Sequence, residues 1–130
     1  MGIVLMLHSL WRWVVLALAI IALLKFALGW LQKKNPDTLD RRLLLAFTAS
    51  LDLQVLLGII LIVNLFLTGA SNRTALEHTI VMLVAAVVAH TSAIWRKRAD
   101  NLFLRNNAAI VLVTLLLIIV GVSSVNGWHF

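Results

Sequence analysis

The chain has 130 residues, of which 62% are hydrophobic and 12% are charged, and its mean hydropathy is +1.03. This composition lies far from that of water-soluble domains and excludes a soluble globular enzyme or binding module. The absence of cysteine excludes disulfides, thiolate catalysis and cysteine-ligated iron–sulfur clusters, and the net charge of +6 has to be interpreted by its position along the chain.

Four long apolar runs dominate the sequence, at about residues 3–31, 43–67, 79–95 and 108–122. Each is near or above the roughly 17 to 25 residues that a bilayer-spanning helix requires. With the residues that start and stop helices included, we predict helices at 3–31, 38–67, 76–97 and 104–125. Because the connections are short, we expect an all-α, up-down-up-down four-helix bundle that forms a single transmembrane domain over residues 1–130.

Helix boundaries are indicated by a few residues between the runs. Pro36 breaks the first helix from the second, and Asp37 with Asp40 suits the opening turn of the second. Thr74 and Glu77 have the spacing of a capping box, which predicts the start of the third helix.

Basic residues gather in alternate connections. The first connection holds Lys33, Lys34, Arg41 and Arg42, the third holds Arg96, Lys97, Arg98 and Arg105, and the second holds Arg73 alone. The positive-inside rule therefore places the first and third connections in the cytoplasm and both termini outside, in a multi-pass membrane protein. At this position anionic phospholipid head groups, rather than nucleic acid, are the expected partner of the basic residues.

Four ionisable residues lie within the apolar runs, where a charge is costly and therefore informative: Arg12, Lys25, Asp52 and His90. Counting about 1.5 Å per residue from the basic connections places the last three in the inner half of the membrane. We expect Lys25 to pair with Asp52, and His90 to donate to Asp52 or to a carbonyl. A structural ion pair is the first interpretation; contact with a partner subunit and a small ion-coupled transporter that uses Asp52 and Lys25 are the alternatives.

A second polar group is predicted in the outer half. It comprises His8, Ser9, Arg12, Asn64, Glu77, His78, Asn126 and His129. Arg12 is expected to pair with Glu77. His8 and His78 are histidines on two helices at similar depth, which is the minimum arrangement for axial ligation of a b-type haem; interfacial hydrogen bonding is the simpler interpretation. The five tryptophans, Trp11, Trp13, Trp30, Trp95 and Trp128, are interpreted as anchors at the membrane interfaces.

Helix faces can be predicted from spacing. Ala85, Ala89 and Ala93 recur every four residues, which places small side chains on one face of the third helix and favours close packing. Asp52 and Gln54 are two residues apart and so point about 200° apart on one helix. Both cannot face the same neighbour, which favours a protein embedded in a larger assembly.

Several short motifs resemble those of a group of small four-helix bacterial membrane proteins, some of which are labelled cytochrome-b-like. They are Leu7-His8-Ser9 with Arg12-Trp13, Asp52-Leu53-Gln54 with Leu57-Gly58, Glu77-His78 with Met82, and Ala89-His90. In size and topology the chain is also similar to the small extra membrane subunits of bacterial electron-transfer complexes such as alternative complex III. That resemblance implies a subunit that packs beside larger quinol-oxidising membrane subunits and carries no redox centre of its own, whereas the cytochrome label implies haem ligation by His8 and His78.

These observations predict an accessory subunit of a respiratory or photosynthetic electron-transfer complex that acts by helix packing and lipid binding. No catalytic constellation was found, and no metal site is expected. Gln54 or Asp52 is the expected contact with larger membrane subunits. A small b-type cytochrome with one haem is the alternative.

Overall fold

The computed structural model describes residues 2–128 of the chain, so His129 lies outside the described residues. Four α-helices follow one another: α1 (Gly2–Leu31), α2 (Thr38–Leu67), α3 (Arg73–His90) and α4 (Leu102–Ser124), with a short 3₁₀-helix at Thr91–Ile94 after α3. The predicted all-α architecture with four helices is therefore confirmed. The predicted bounds of α2 are the observed ones, and those of α1 and α4 differ from the prediction by two residues or fewer.

Each of the four helices is long and apolar enough to cross a membrane, and their most apolar segments have mean hydropathies of 2.5, 2.2, 1.5 and 2.4 in chain order. The bundle keeps large hydrophobic side chains on its outside as well as in its core. A helix that is apolar all round is typical of a membrane span or of the core of a large protein.

Helices adjacent in sequence pack against each other, and α4 closes the bundle against α1. The connections 32–37 and 95–101 lie together at what we call the basic end, and the connection 68–72 lies at the opposite end. Near the basic end the core contains Phe26, Phe47 and Phe103, all fully buried, and the rings of Phe26 and Phe103 meet edge to face at 5.9 Å. Helices α2 and α3 pack least closely of the four neighbouring pairs.

The third helix differs from its predicted bounds at both ends. It begins earlier because Asn72, rather than Thr74, is the N-cap and accepts the backbone N–H of Ala75 at 2.8 Å. It stops at His90. The hydroxyl of Thr91 donates a hydrogen bond to the carbonyl of Val88, and the backbone continues as the 3₁₀-helix. Such local side-chain bonds compete with helix continuation.

The alanine stripe is consequently shorter than predicted. Ala85 and Ala89 are completely buried, whereas Ala93, in the 3₁₀-helix, is exposed. The change from 3.6 to about 3 residues per turn rotates later side chains away from the packed face.

Arg41 ties the two connections of the basic end together. Its guanidinium donates to the carbonyls of Arg96 and Arg98, the latter at 2.8 Å, and lies 4.9 Å from the centre of the Phe103 ring. Carbonyls that follow a helix end lack partners within the helix, so Arg41 stabilises the backbone there. Of the other basic residues predicted to meet lipid head groups, Lys33, Lys34, Arg42, Arg96, Lys97 and Arg98 are exposed at the same end.

The predicted pair of Lys25 with Asp52 is wrong. The Lys25 ammonium lies 2.8 Å from a carboxylate oxygen of Asp40 and 3.3 Å from Asp37. Asp52 lies about 18 Å farther along α2 than Asp40, at about 1.5 Å per residue, and is out of reach. Lys25 thus binds the acidic first turn of α2.

Asp37 and Asp40 form a reciprocal capping box at the start of α2. Each side chain accepts the other residue's backbone N–H, at 2.8 and 2.9 Å. The backbone N–H of Asp40, and then Lys25, lowers the pKa of Asp37 below its ordinary value. Because the pKa is lowered in the folded state, the resulting stabilisation is present at neutral pH and is lost as the pH falls through the folded pKa.

We predict that Asp37→Ala lowers the free energy of unfolding by about 1 kcal/mol, the usual effect of losing an N-cap. Asp37→Asn keeps a capping oxygen and should retain most of that stability. Asn35→Ala, an exposed change in the same connection, is the matched control. Reversible unfolding in detergent micelles measures all three; an equal loss in Asp37→Ala and Asp37→Asn would mean that the charge, and not the cap, stabilises the turn.

Candidate functional site

A cavity of about 440 Å³ occupies the half of the bundle away from the basic end. All four helices contribute residues to its wall, α2 the most, followed by α1 and then α3. Ile59 on α2 and Leu83 on α3 line it and are about 40% exposed, so it is open to the outside between these two loosely packed helices; Leu5 on α1 lines it and is 55% exposed. Its volume is within the range of small-molecule sites, and its wall is mainly apolar with a few polar groups, as such sites usually are.

Gln54 and His8 form the polar floor of the cavity. Gln54 is 6% exposed, and its amide nitrogen donates to the backbone carbonyl of His8 at 2.9 Å. Because that carbonyl can only accept, the orientation of the amide is fixed and its oxygen points elsewhere. Within residues 2–128, neither the Gln54 Oε1 atom nor the His8 Nδ1 atom has a hydrogen-bond partner, although both are buried.

His78 lines the cavity beside His8. The Nδ1 atom of His78 donates to the carbonyl of Gly121 at 2.7 Å, which leaves Nε2 with the lone pair. The two imidazole rings meet edge to face with their centroids 6.4 Å apart. The two histidines singled out from the sequence therefore do come together, although α1 and α3 are not adjacent in the chain.

Two glycines allow this arrangement. A Cβ atom on Gly58 would lie 3.2 Å from the Cε1 atom of His8, so the glycine leaves room for the imidazole to pack against α2. A Cβ atom on Gly121 would lie 2.8 Å from the Sδ atom of Met82, so α3 and α4 approach closely where His78 is held. Single glycines in apolar helices are weak signals in a sequence, and their neighbours become visible only in the fold.

The predicted pair of Arg12 with Glu77 is also wrong. Glu77 pairs with Arg73 at 2.7 Å, one turn earlier on the exposed start of α3. Arg12 lines the cavity and extends beside Gly127, and its guanidinium carbon lies 5.2 Å from the centre of the Trp13 ring. Sequence spacing within α3 favours Arg73, which lies four residues from Glu77, over a partner on another helix.

A second polar site lies on the outside of the bundle. The Nε2 atom of His90 lies 2.7 Å from a carboxylate oxygen of Asp52, as predicted, and the two side chains are 52% and 49% exposed. Asp52 and Gln54 point away from each other, also as predicted, because one joins this pair and the other faces the cavity. The exposed neighbours are apolar, including Leu56 and Val87.

Sequence reasoning missed the burial of Asn107 and the contact that Trp11 makes. Asn107 is completely buried on α4, and neither atom of its amide has a partner in the described part of the chain; nothing in the sequence distinguishes it from the other polar residues that precede the fourth apolar run. Trp11 donates its indole N–H to the carbonyl of Ser50 at 2.9 Å and so binds α1 to α2 within the bundle; its role as an interface anchor stays a prediction.

Comparisons with protein-family models, with curated proteins and with solved structures give no match to the chain. The family resemblance and the haem, lipid and subunit assignments stay predictions.

Proposed function

We propose that the protein is an accessory membrane subunit of a bacterial electron-transfer complex of the respiratory or photosynthetic type. It contacts a larger membrane subunit through the surface of α2 and α3 around Asp52 and His90, which we call the Asp52–His90 face. The observation that carries the proposal is the exposure of this hydrogen-bonded pair, about half of each side chain, among apolar residues.

The depth of the pair in the membrane supports this contact. With the basic end in the cytoplasm, Asp52 lies about 15 Å along α2 from Arg42 at about 1.5 Å per residue, and His90, which is bonded to Asp52, lies at the same level. Both then lie within the hydrocarbon layer, where insertion scales assign roughly 2.5 to 3.5 kcal/mol to an exposed charge. A helix of a larger subunit would remove the pair from lipid and offer it hydrogen bonds.

Two further observations support a subunit role. The bundle has apolar side chains on all sides, which suits burial in a membrane assembly, and in size and topology the chain resembles the small extra membrane subunits of electron-transfer complexes. Gln54, the other expected contact, is buried and bonded to His8, so the contact is assigned to Asp52. A transporter that pairs Asp52 with Lys25 is not proposed, because Lys25 is bound to Asp40.

A small b-type cytochrome is the second candidate. The observation in its favour is that the carbonyl of Gly121 accepts the Nδ1 proton of His78, so the Nε2 atom can act as a ligand. Imidazoles that ligate metals usually donate their other ring N–H to such a carbonyl. His8 and His78 would hold the haem, and Arg12, which lines the same cavity, would meet a propionate. A bound haem would supply one-electron transfer.

We predict that a photoreactive amino acid at Leu56 or Val87, on the Asp52–His90 face, forms adducts with one larger membrane protein in the native membrane. At Leu24 on α1, which is also exposed, it should form lipid adducts. Replacing both members of the pair, with Asp52→Leu and His90→Leu, should lower the protein adduct at Val87 about tenfold, because a hydrogen bond to a charged group contributes about 1.5 to 3 kcal/mol. Mass spectrometry of the adducts is the measurement.

The variant with Asp52→Leu and His90→Leu must be inserted into the membrane in the same amount as the wild-type protein, which membrane fractionation checks. Lipid adducts alone at Leu56 and Val87, or adducts only with a second copy of this chain, would contradict the proposed larger partner.

For the haem candidate, purified protein should show a reduced-minus-oxidised b-type spectrum that both His8→Ala and His78→Ala abolish. His90→Ala is the control and should keep the spectrum, because His90 lies outside the cavity. A purified wild-type chain without a haem spectrum, or a spectrum that survives both changes, removes this assignment.

A further inference from the structure

We infer that the cavity between α2 and α3 binds the ring of a membrane-soluble para-quinol, with its apolar tail leaving through the opening between these helices. The inference concerns the isolated chain and does not depend on the proposed subunit role.

The first step is the pair of buried polar atoms without partners. Gln54 is buried to more than nine-tenths, lines the cavity, and has an amide oxygen without a partner among the residues that the structure describes. The Nδ1 atom of His8, which also lines the cavity, is buried and has no hydrogen-bond partner within residues 2–128. Buried polar atoms are almost always hydrogen-bonded in native proteins, so two such atoms on the wall of one cavity indicate a bound polar group.

The second step is depth. Gln54 lies about 20 Å along α2 from the end of that helix at Leu67, at about 1.5 Å per residue. A phospholipid head group stays at the membrane surface and does not reach this level, and its acyl chain brings no polar atom to Gln54. The ligand therefore combines an apolar body with a small uncharged polar head.

The third step is the hydrogen-bond chemistry. The Gln54 oxygen can only accept, and it therefore requires a donor from the ligand. The imidazole of His8 can accept or donate according to its tautomer, and His78, whose ring meets that of His8 edge to face, presents an acceptor at Nε2. A ring with two hydroxyls can donate with one to the Gln54 oxygen and with the other to a histidine. This matches a para-quinol, and the site should prefer the quinol to the quinone.

The fourth step is shape. About 440 Å³ accommodates a single substituted ring with the first part of a tail, and most of the wall is apolar. The exposed lining residues Ile59 and Leu83 open the cavity toward the surrounding lipid between α2 and α3. A molecule that partitions into the bilayer can therefore enter from the side.

The test uses the purified full chain in nanodiscs of phosphatidylcholine and phosphatidylglycerol. Decylubiquinol and decylubiquinone are titrated without oxygen, and bound ligand is quantified by mass spectrometry after nanodisc separation. We expect saturable binding of the quinol at one equivalent per chain, tighter than that of the quinone. Gln54→Met, which keeps the side-chain length and removes the amide, should raise the Kd of the quinol about tenfold.

Thr48→Val is the matched control: it removes a polar atom from the same helix, outside the cavity, and should leave the Kd unchanged. If Gln54→Met does not fold, an azido-quinone is photolysed with the wild-type chain, and the label should fall on residues 54–65 or 75–83.

Three outcomes would overturn the inference. Binding that does not saturate would be simple partition into lipid, and binding that is equal in Gln54→Met and Thr48→Val would place the ligand away from Gln54. A phospholipid or a haem that co-purifies at one per chain and is not displaced by decylubiquinol would be the true occupant. Azido label spread over the exposed faces of α1 and α4 would exclude the cavity.

Discussion

The structure depends on one constraint: a polar group placed inside an apolar bundle needs a hydrogen-bond partner, because an unsatisfied buried group is expensive. Most of the polar side chains within the helices obey it locally. Thr48 and Thr114 donate to carbonyls in the preceding turn of their own helices, and Trp11 reaches the carbonyl of Ser50. The exceptions are then informative, because each marks a place where the isolated chain is incomplete.

Two polar sites lie along the same seam, where α2 and α3 pack least closely. In the half away from the basic end, the seam opens into the cavity with the unpartnered atoms of Gln54 and His8. Farther along, the Asp52–His90 pair lies across the outside of the seam and is half exposed. The motif Asp52-Leu53-Gln54 supplies one residue to each place. We propose a large partner for the outer one and a small ligand for the inner one.

The fold was largely predictable from the sequence, because length and apolar composition decide which segments become membrane-type helices. Asp37 and Asp40 were assigned correctly to the first turn of α2, since capping is a local effect. The pairings of Lys25 and Arg12 were predicted wrongly. Helix rotation and the offset between helices decide which charges meet, and a nearer partner, Asp40 or Arg73, was available for Lys25 and Glu77.

The site was predictable only in part. His8 with His78, and Asp52 with His90, were brought together as expected because they are rare polar residues at matched depths. The cavity was not foreseen, since its volume depends on Gly58 and Gly121 and on the loose contact of α2 with α3. Asn107 was overlooked because an asparagine near the start of an apolar run is expected to be exposed at a helix end, and its burial is evident only from the fold.

Extraction of the native membrane in a mild detergent, followed by native mass spectrometry, tests the proposed subunit role most directly. The role predicts that the 14.4 kDa chain is recovered in a larger assembly with electron-transfer subunits and that Asp52→Leu with His90→Leu releases it. Recovery of the wild-type chain alone, or only as an assembly of its own copies, would contradict that role.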